Sequence, residues 1–354
     1  MRFPEFKGEW KTKAIGEITQ SFSGGTPKST DYRNYNGEIP FIRSGEIDKE
    51  TTALHLSKAG LKGSSVKLVS KGDLLLALYG ATSGKIAISK IDGAINQAIL
   101  CLRTNVDKNF FKSQWEAKVE SILRTYLQGG QGNLSSEIVQ QIKFGLPGHE
   151  EQEKIGDLMR TIDDRISVQR KTIEVLETLK ESIVRRRKTG NKKLKEYCQA
   201  FSSNIKENEV SKTGRYPVFG ANGLVGYRDS YQFSTPGIAI IKDGAGVGRC
   251  TPILDPLYSV LGTMTLLTPA NKCNSIVYLY YLLQAVDYSR YVVGSGIPHI
   301  YFKDYSQALV PEESQQTLCL SNLYMSLCNK QIQAKKELLS ISQLKSFLLS
   351  SLFM

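Results

Sequence analysis

Two segments of the chain carry apolar residues at the spacing of a coiled coil. The first follows Pro147, and the pattern returns about 165 residues later, after Pro311. Apolar residues that alternate at three and four positions share one face of an α-helix, and such a face is buried against a partner helix. The predicted seam consists of Ile155, Met159, Ile162, Ile166, Ile173, Leu176 and Ile183 in the first copy, and of Leu320, Leu327, Leu338, Ile341 and Leu348 in the second.

Each predicted helix spans about 30 residues, which at ~1.5 Å per residue is roughly 45–50 Å. The equivalent seam within the chain is its own second copy, so we expect the two helices to pair antiparallel, with a pseudo-twofold axis between the preceding domains. Gln169, Lys180, Gln331 and Lys345 interrupt the seam. Polar residues at such positions cost stability but disfavour slipped registers. Two ordinary amphipathic helices, each packed on its own core, remain the alternative.

Before each helix the apolar period changes to two, which is typical of strands. The first half predicts strands at Ile39–Arg43, Asp73–Leu78, Lys85–Ser89 and Ala98–Leu102. The second half predicts strands at Tyr216–Phe219, Ile238–Ile241, Thr251–Leu254 and Met264–Leu267. One helix follows in each half, at Phe110–Leu127 and at Ser275–Tyr288. The pattern indicates an α+β class with a twisted sheet or partial barrel.

Two glycine segments are duplicated as well. Gly80–Lys85 returns as Gly244–Arg249, and Gly129–Leu134 returns as Gly294–Ile300. Together with the two seams, they predict the order domain, helix, domain, helix. The predicted bounds are 1–147, 148–190, 191–311 and 312–354.

Composition and charge narrow the class of protein. The chain is 41% hydrophobic and 23% charged, as expected for a folded globular protein, and its formal net charge is +12. A basic surplus favours a polyanionic partner, because each phosphate that Lys or Arg neutralises releases a counterion. The apolar run Ile276–Leu283 is too short for a membrane span, and the first residues lack the apolar core of a secretory signal. Six scattered cysteines without metal-ligand spacing favour reduced thiols, no metal site and a cytoplasmic location.

The order of the motifs resembles that of the specificity (S) subunit of type I restriction enzymes. The motifs are Gly24–Pro27, Ile39–Arg43, Gly80–Lys85, Gln131–Asn133, Leu146–Pro147 and Glu151–Ile155. The resemblance implies two mixed α/β target-recognition domains separated by two long helices, and a non-catalytic subunit that reads a bipartite DNA target. It also implies partnership with double-stranded DNA, two methyltransferase (modification) subunits and restriction subunits. Those partners would use S-adenosylmethionine, ATP and Mg, and this chain would use no cofactor of its own.

Candidate DNA contacts lie in the glycine segments and beside strand ends. Glycine loops that end in a base let backbone N–H groups approach a phosphate, Arg reads guanine, and Asn or Gln reads adenine. The candidates are Lys28, Tyr32, Arg33, Arg43, Ser44, Thr82, Ser83, Lys85, Gln131, Asn133, Asn222, Tyr227, Arg228, Lys242, Arg249, Ser295 and His299. For each of them the alternative is a solvated or turn-forming side chain. The two halves differ at these positions, so we expect two different half-sites.

An enzymatic function is not favoured. Gly244–Gly248 resembles a nucleotide loop, and Asp255–Tyr258 resembles a motif of amino-methyltransferases. A cofactor loop should open a helix, however, and Arg249–Pro252 is a poor helix start. The sequence contains no P-loop either. The competing hypothesis is a coiled-coil adaptor that does not read DNA.

Overall fold

The computed structural model describes residues 2–126, 133–185, 190–270, 273 and 275–353. They form two compact units. Unit 1 comprises Met1–Gln169 and Glu337–Met354, and unit 2 comprises Arg170–Lys336. Each unit therefore contains strand-rich structure and one part of each long helix.

The bounds of the elements are as follows. The strands of unit 1 are β1 (Lys11–Ala14), β2 (Thr19–Ser23), β3 (Tyr35–Ile42), β4 (His55–Leu56), β5 (Lys67–Val69), β6 (Leu74–Ala77), β7 (Ile86–Ile88), β8 (Gly93–Ile95), β9 (Ile99–Thr104) and β10 (Lys143–Leu146). The strands of unit 2 are β11 (Lys192–Lys193), β12 (Cys198–Ser202), β13 (Tyr216–Gly220), β14 (Gly223–Arg228), β15 (Gly237–Ile241), β16 (Cys250–Ile253), β17 (Ser259–Val260), β18 (Met264–Pro269) and β19 (Leu309–Val310). The helices are α1 (Ile15–Ile18), α2 (Lys58–Lys62), α3 (Lys108–Tyr126), α4 (Ser136–Gln141), α5 (His149–Arg185), α6 (Ile276–Leu283), α7 (Phe302–Tyr305) and α8 (Gln315–Phe353).

The duplicated sequence folds into a duplicated topology. Unit 1 has a four-stranded sheet in the order β2-β9-β6-β7, and unit 2 has one in the equivalent order β12-β18-β15-β16. A second sheet in each unit contains a parallel pair, β3 with β8 and β13 with β17. An antiparallel pair, β1 with β10 or β11 with β19, precedes each long helix. The predicted α+β class is confirmed.

Most of the predicted elements are present, with two kinds of difference. The helix predicted at Ser275–Tyr288 is too long, since α6 ends at Leu283. The side chain of Asp287 accepts a hydrogen bond from Ser289 N and starts a separate 3-10 turn there. Strands β2 and β12 were not predicted, because both carry polar residues that hide the alternation.

The seam of unit 1 joins the first part of α5 to the last part of α8. Ile155, Met159, Ile162 and Ile166 are buried in one cluster with apolar residues near the end of α8. That cluster contains Leu348, Leu352 and Phe353, with Leu338 and Ile341 packed against it. Gln169 donates a hydrogen bond to Glu337 (3.0 Å), and Asp163 lies 2.7 Å from Lys345. The partner number falls as the α5 number rises, so the helices run antiparallel, as predicted.

The seam of unit 2 follows the same direction. Ile173, Leu176, Ile183 and Leu327 are buried, and Leu320 is half-buried. The two helices are joined by polar contacts at Glu177 and Lys180 of α5. Gln331 accepts a hydrogen bond from Lys180 (2.6 Å) and donates one to Glu177 (2.6 Å). Thus Lys180 and Gln331, which interrupt the apolar pattern, satisfy each other.

Lys345, another interruption of the seam, lies in a compact ionic cluster of unit 1. Its Nζ is 2.6 Å from Glu116 Oε2 on α3 and 2.7 Å from Asp163 Oδ1 on α5. Lys112 of α3 pairs with the same two carboxylates. The two lysine side chains are each 17% exposed, so the cluster is largely shielded from solvent. It connects three helices of unit 1.

The cluster shifts the pKa values of its members. Burial raises the pKa of Asp163, but attraction to Lys112 and hydrogen bonds from both lysines outweigh burial, and the pKa falls below its usual range. Burial lowers the pKa of Lys112, but its two carboxylates outweigh that effect and raise the pKa. Both groups are therefore charged at neutral pH.

We predict that Asp163→Asn lowers the free energy of unfolding at pH 7 by about 1–3 kcal/mol, because two buried lysines then share one carboxylate. An Asp with a depressed folded pKa stabilises the fold above its unfolded pKa, and that stabilisation is lost as pH falls through the folded value. The difference between the variant and the wild type should therefore shrink below about pH 4. Urea denaturation at several pH values measures it.

The matched control is Asp164→Asn, which removes an exposed carboxylate one position along the same helix. It should change stability by less than about 0.5 kcal/mol. Equal effects of the two substitutions would contradict the role assigned to the cluster.

Candidate nucleic-acid interface

The first glycine loop is a tight turn between β6 and β7. Ser83 N donates to Gly80 O (3.0 Å), Gly84 N to Ala77 O (2.8 Å), and Lys85 N to Thr82 O (2.9 Å). Gly80 and Gly84 have φ values of +76° and +84°, which favour glycine. The turn therefore requires glycine at both positions.

The second loop repeats this geometry between β15 and β16. Val247 N donates to Gly244 O (3.2 Å), Gly248 N to Ile241 O (2.9 Å), and Arg249 N to Gly246 O (3.0 Å). Gly244 and Gly248 have φ values of +93° and +84°. The duplication seen in the sequence thus extends to individual hydrogen bonds.

These hydrogen bonds show which loop amides are already used. The amides of residues 83–85 and 247–249 donate to backbone oxygens of the loop or of the preceding strand end, so these amides are not free donors for a phosphate. The Ser83 hydroxyl also donates within the loop, to Leu78 O (2.9 Å). Each loop is followed by a strand rather than a helix, which is inconsistent with a nucleotide-binding loop.

An aromatic side chain contacts each loop at its second glycine. Trp115 of α3 is fully buried, and its Nε1 donates to Gly84 O (2.7 Å). In unit 2, the side chain of Tyr288 packs against Gly248. The loops are therefore positioned by the core of each unit.

The base that ends each loop has a different partner. Lys85 Nζ lies 2.8 Å from Asp48 Oδ1. Arg249 donates to the backbone oxygen of Ala221 and to Asn222 Oδ1, which is 3.2 Å away. Both bases are thus held by the turn that leaves a neighbouring strand, β3 in unit 1 and β13 in unit 2.

In unit 1 the remaining candidates form two groups. Arg43 and Ser44 leave the end of β3, where Arg43 Nε is 3.1 Å from Glu46, and they share this turn with the partner of Lys85. Thr82 is half-buried within the loop.

The second group lies at the start of β3, where Arg33 pairs with Asp31 (2.9 Å). Exposed Lys28 and 80% exposed Tyr32 belong to this second group, so the structure does not bring these six predicted contacts together.

In unit 2 the glycine segment Gly294–Ile300 lies against the second loop. Gly244 N donates to Pro298 O (2.9 Å), Ile300 N donates to Lys242 O (3.0 Å), and His299 contacts Asp243. Exposed Ser295 lies in the same segment. Lys242, Arg249, Asn222, Ser295 and His299 are thus carried by adjoining loops.

Some candidates lie elsewhere or outside the described part of the chain. Tyr227 and Arg228 end β14, and Arg228 is 3.8 Å from Glu209. Asn133 is exposed, while Gln131 lies outside the described residues. Sequence reasoning missed Asp48, and no signal in the sequence showed that this carboxylate faces Lys85.

No group of three or more His, Cys, Asp or Glu side chains among the described residues is arranged to hold a metal ion. Within the same residues, no helix combines the length and apolar character required to cross a bilayer.

A family model described as the type I restriction modification DNA specificity domain matches residues 7–178. This span contains the first loop, the turn with Asp48, and most of α5. The matched residues, just under half of the chain, are thus similar to a type I DNA specificity domain.

Two curated specificity subunits are similar to the chain over part of their length. The MjaIX type I subunit of Methanocaldococcus jannaschii is 24% identical over 181 residues, which is 48% of this chain and 42% of the relative. The EcoR124I/EcoR124II subunit of Escherichia coli is 23% identical over 174 residues, which is 46% of this chain and 43% of the relative. The matches to four such relatives span 42–45% of the relatives' own length.

A solved structure shows the same fold over the whole chain. The crystal structure of the type I restriction-modification S subunit from M. genitalium aligns with a TM-score of 0.75 and 17% identity. The alignment covers 99% of this chain and 97% of that chain. The chain thus shares its fold with a solved S subunit.

We predict that alanine is tolerated less at the second glycine of each glycine loop than at the first. A Cβ at Gly84 would lie 2.7 Å from Val119 Cγ2, and one at Gly248 would lie 2.7 Å from Tyr288 Cβ, whereas Gly80 and Gly244 face open space. Gly80→Ala should cost about 1–2 kcal/mol through its backbone conformation. Gly84→Ala should cost about 1–3 kcal/mol more through overpacking.

The free energy of unfolding from urea titrations measures both substitutions, and the pair Gly244→Ala and Gly248→Ala repeats the comparison in unit 2. Similar costs at the first and second glycines would refute the packing argument.

Proposed function

We propose that this chain is a non-catalytic DNA-binding subunit of a type I restriction-modification complex, with each unit reading one half of a bipartite, asymmetric target. The duplicated loop and sheet support two readers, because equivalent positions are held in the same hydrogen-bonded geometry. The side chains at those positions differ, as Lys85 with Asp48 and Arg249 with Asn222 illustrate. Two unlike readers require two unlike half-sites.

The proposed partners are double-stranded DNA, two modification subunits and restriction subunits. Exposed apolar side chains on the long helices support protein docking there, because large apolar groups on helix surfaces often mark contact sites. These are Val175, Leu179, Leu323 and Ile332 in unit 2, and Val168, Leu339, Leu344 and Phe347 in unit 1. In this proposal the partners use S-adenosylmethionine, ATP and Mg, the chain itself uses no cofactor, and the complex acts in the cytoplasm.

The register of the paired helices would set the spacing of the half-sites. Domains of a DNA-binding protein that read successive major grooves lie about 34 Å apart, or a multiple of that distance. One register is specified by the polar contacts of Gln169, Lys180, Gln331 and Lys345. A single register is required if the paired helices are to hold the two units at a fixed distance.

We predict that replacing residues 191–311 with the corresponding domain of another specificity subunit changes one half of the methylated sequence and leaves the other half unchanged. Methylome sequencing of cells that express the chimera with its modification subunits measures this. The reciprocal exchange of residues 1–147 is the matched control and should change the other half.

A change in both halves after either exchange would contradict two independent readers. The adaptor hypothesis predicts instead that neither exchange alters the methylated sequence.

We predict that one heptad inserted at matched positions in both helices lengthens the target spacer. Seven residues at ~1.5 Å extend a helix by about 10 Å, which corresponds to about 3 base pairs at ~3.4 Å each. Methylome sequencing reads the spacer directly. Substituting exposed residues within an existing heptad, without a change in length, should leave the spacer as it was. An unchanged spacer after the insertion would contradict the proposal that the paired helices set the distance between the half-sites.

A further inference from the structure

The two loop bases face equivalent turns. In unit 1 the turn follows β3, whose last residue, Ile42, accepts a hydrogen bond from Asn96 N (3.4 Å) at the end of β8. In unit 2 the turn follows β13, where Phe219 O accepts a hydrogen bond from Leu261 N (2.9 Å) at the end of β17. The same topological position therefore supplies the partner of Lys85 in one unit and of Arg249 in the other.

The chemistry of the partner differs between the units. Asp48 is a carboxylate, and it lies 2.8 Å from Lys85 Nζ. The partners of Arg249 are a backbone oxygen and the side-chain amide of Asn222, both neutral. Among the described residues, no carboxylate lies within ion-pair distance of Arg249. The carboxylate nearest in sequence to this loop, Asp243, is instead bound to His299.

Asp48 is ionised at neutral pH. Burial raises its pKa, but the close ammonium group of Lys85 outweighs burial, and the pKa is lowered. The Lys85 and Asp48 side chains are 37% and 41% exposed, so a polyanion can reach them, although the Asp48 Oδ1 that faces Lys85 is itself buried. An exposed pair of this kind adds little to stability, but it cancels one positive charge at the loop.

Other cations of the first reader are paired in the same way. Arg43 is 3.1 Å from Glu46, and Lys90 is 3.4 Å from Glu50, which follows Asp48 by two residues. The carboxylates therefore line the turn that faces the first loop. A phosphate that approaches this loop must compete with them.

We propose that Asp48 electrostatically masks Lys85, so that the second reader, through Arg249, makes the stronger salt-dependent contact with the DNA backbone. This inference rests on the proposed DNA-binding function. A cation that is free of carboxylates releases counterions from the phosphate it neutralises, whereas a cation already neutralised by a carboxylate contributes less. The two readers then differ in how they hold the duplex as well as in the bases they read.

The test exchanges the two partners. Asp48→Asn should unmask Lys85, and Asn222→Asp should mask Arg249. The full chain, assembled with its modification subunits, is titrated with a duplex that lacks the target sequence, at 50 and 200 mM salt. Each phosphate contact contributes a slope of about 0.9 in log affinity against log salt, so one contact changes the affinity ratio between these two conditions about 3.5-fold. Asp48→Asn should raise that ratio and Asn222→Asp should lower it, each by up to this factor.

Two controls separate masking from a change in net charge. Asp164→Asn removes one exposed carboxylate from α5 of unit 1 and should leave the ratio near the wild-type value. In a Lys85→Gln background, Asp48→Asn should no longer raise the ratio, because the cation that it exposes is absent.

The inference is overturned if Asp48→Asn changes the ratio no more than Asp164→Asn does, or if its effect persists without Lys85. A wild-type complex that binds no duplex at any salt concentration would instead refute the proposed function itself.

Discussion

The ionic cluster of Lys112, Glu116, Asp163 and Lys345 is the contact on which the arrangement of unit 1 depends. It fixes α5 to α8, and because Lys112 and Glu116 belong to α3, it also fixes the helix that packs on the sheet. A slip of one heptad would leave Lys345 shielded from water without its carboxylates, which costs several kcal/mol. The register of the seam and the position of the strand-rich part are therefore determined together, and the same α3 supplies Trp115 to the first loop.

In unit 2 the contacts that α8 makes with α5 and α6 contain no comparable ionic cluster among the described residues. Lys180 and Gln331 satisfy each other, and Tyr324 of α8 packs on Tyr280 of α6 with ring centroids 6.0 Å apart. In unit 1 the ionic cluster is accompanied by an aromatic contact, since Phe110 of α3 packs on Phe353 of α8 with ring centroids 5.5 Å apart. An aromatic contact to α8 is therefore common to both units, and the ionic cluster is the feature in which unit 1 differs.

Periodicity was sufficient to predict the long helices, each of which buries one face. Continuous apolar runs predicted the strands around Leu74–Leu78 and Ile238–Ile241, which are buried at every position. The α+β class with paired helices is confirmed. Strands such as β2 were missed because their residues are mainly polar, and α6 was predicted too long because the cap at Asp287 is a local effect. The DNA contacts remain predictions, although the structure shows which of them adjoin.

The sequence did not show which partners the loop side chains and backbone amides contact. The glycine pattern suggested amides open to phosphate, yet those of residues 83–85 and 247–249 close the turn. This leaves the side chain at the end of each loop as its principal charged group, so the partner of that side chain decides how strongly the loop attracts a polyanion. The partner comes from a turn 37 residues away in unit 1 and 27 residues away in unit 2. Asp and Asn both favour turns, so turn-forming propensity does not distinguish the carboxylate from the amide. Electrostatic differences between duplicated domains therefore arise from such long-range pairs, and a motif comparison that aligns only the loops cannot detect them.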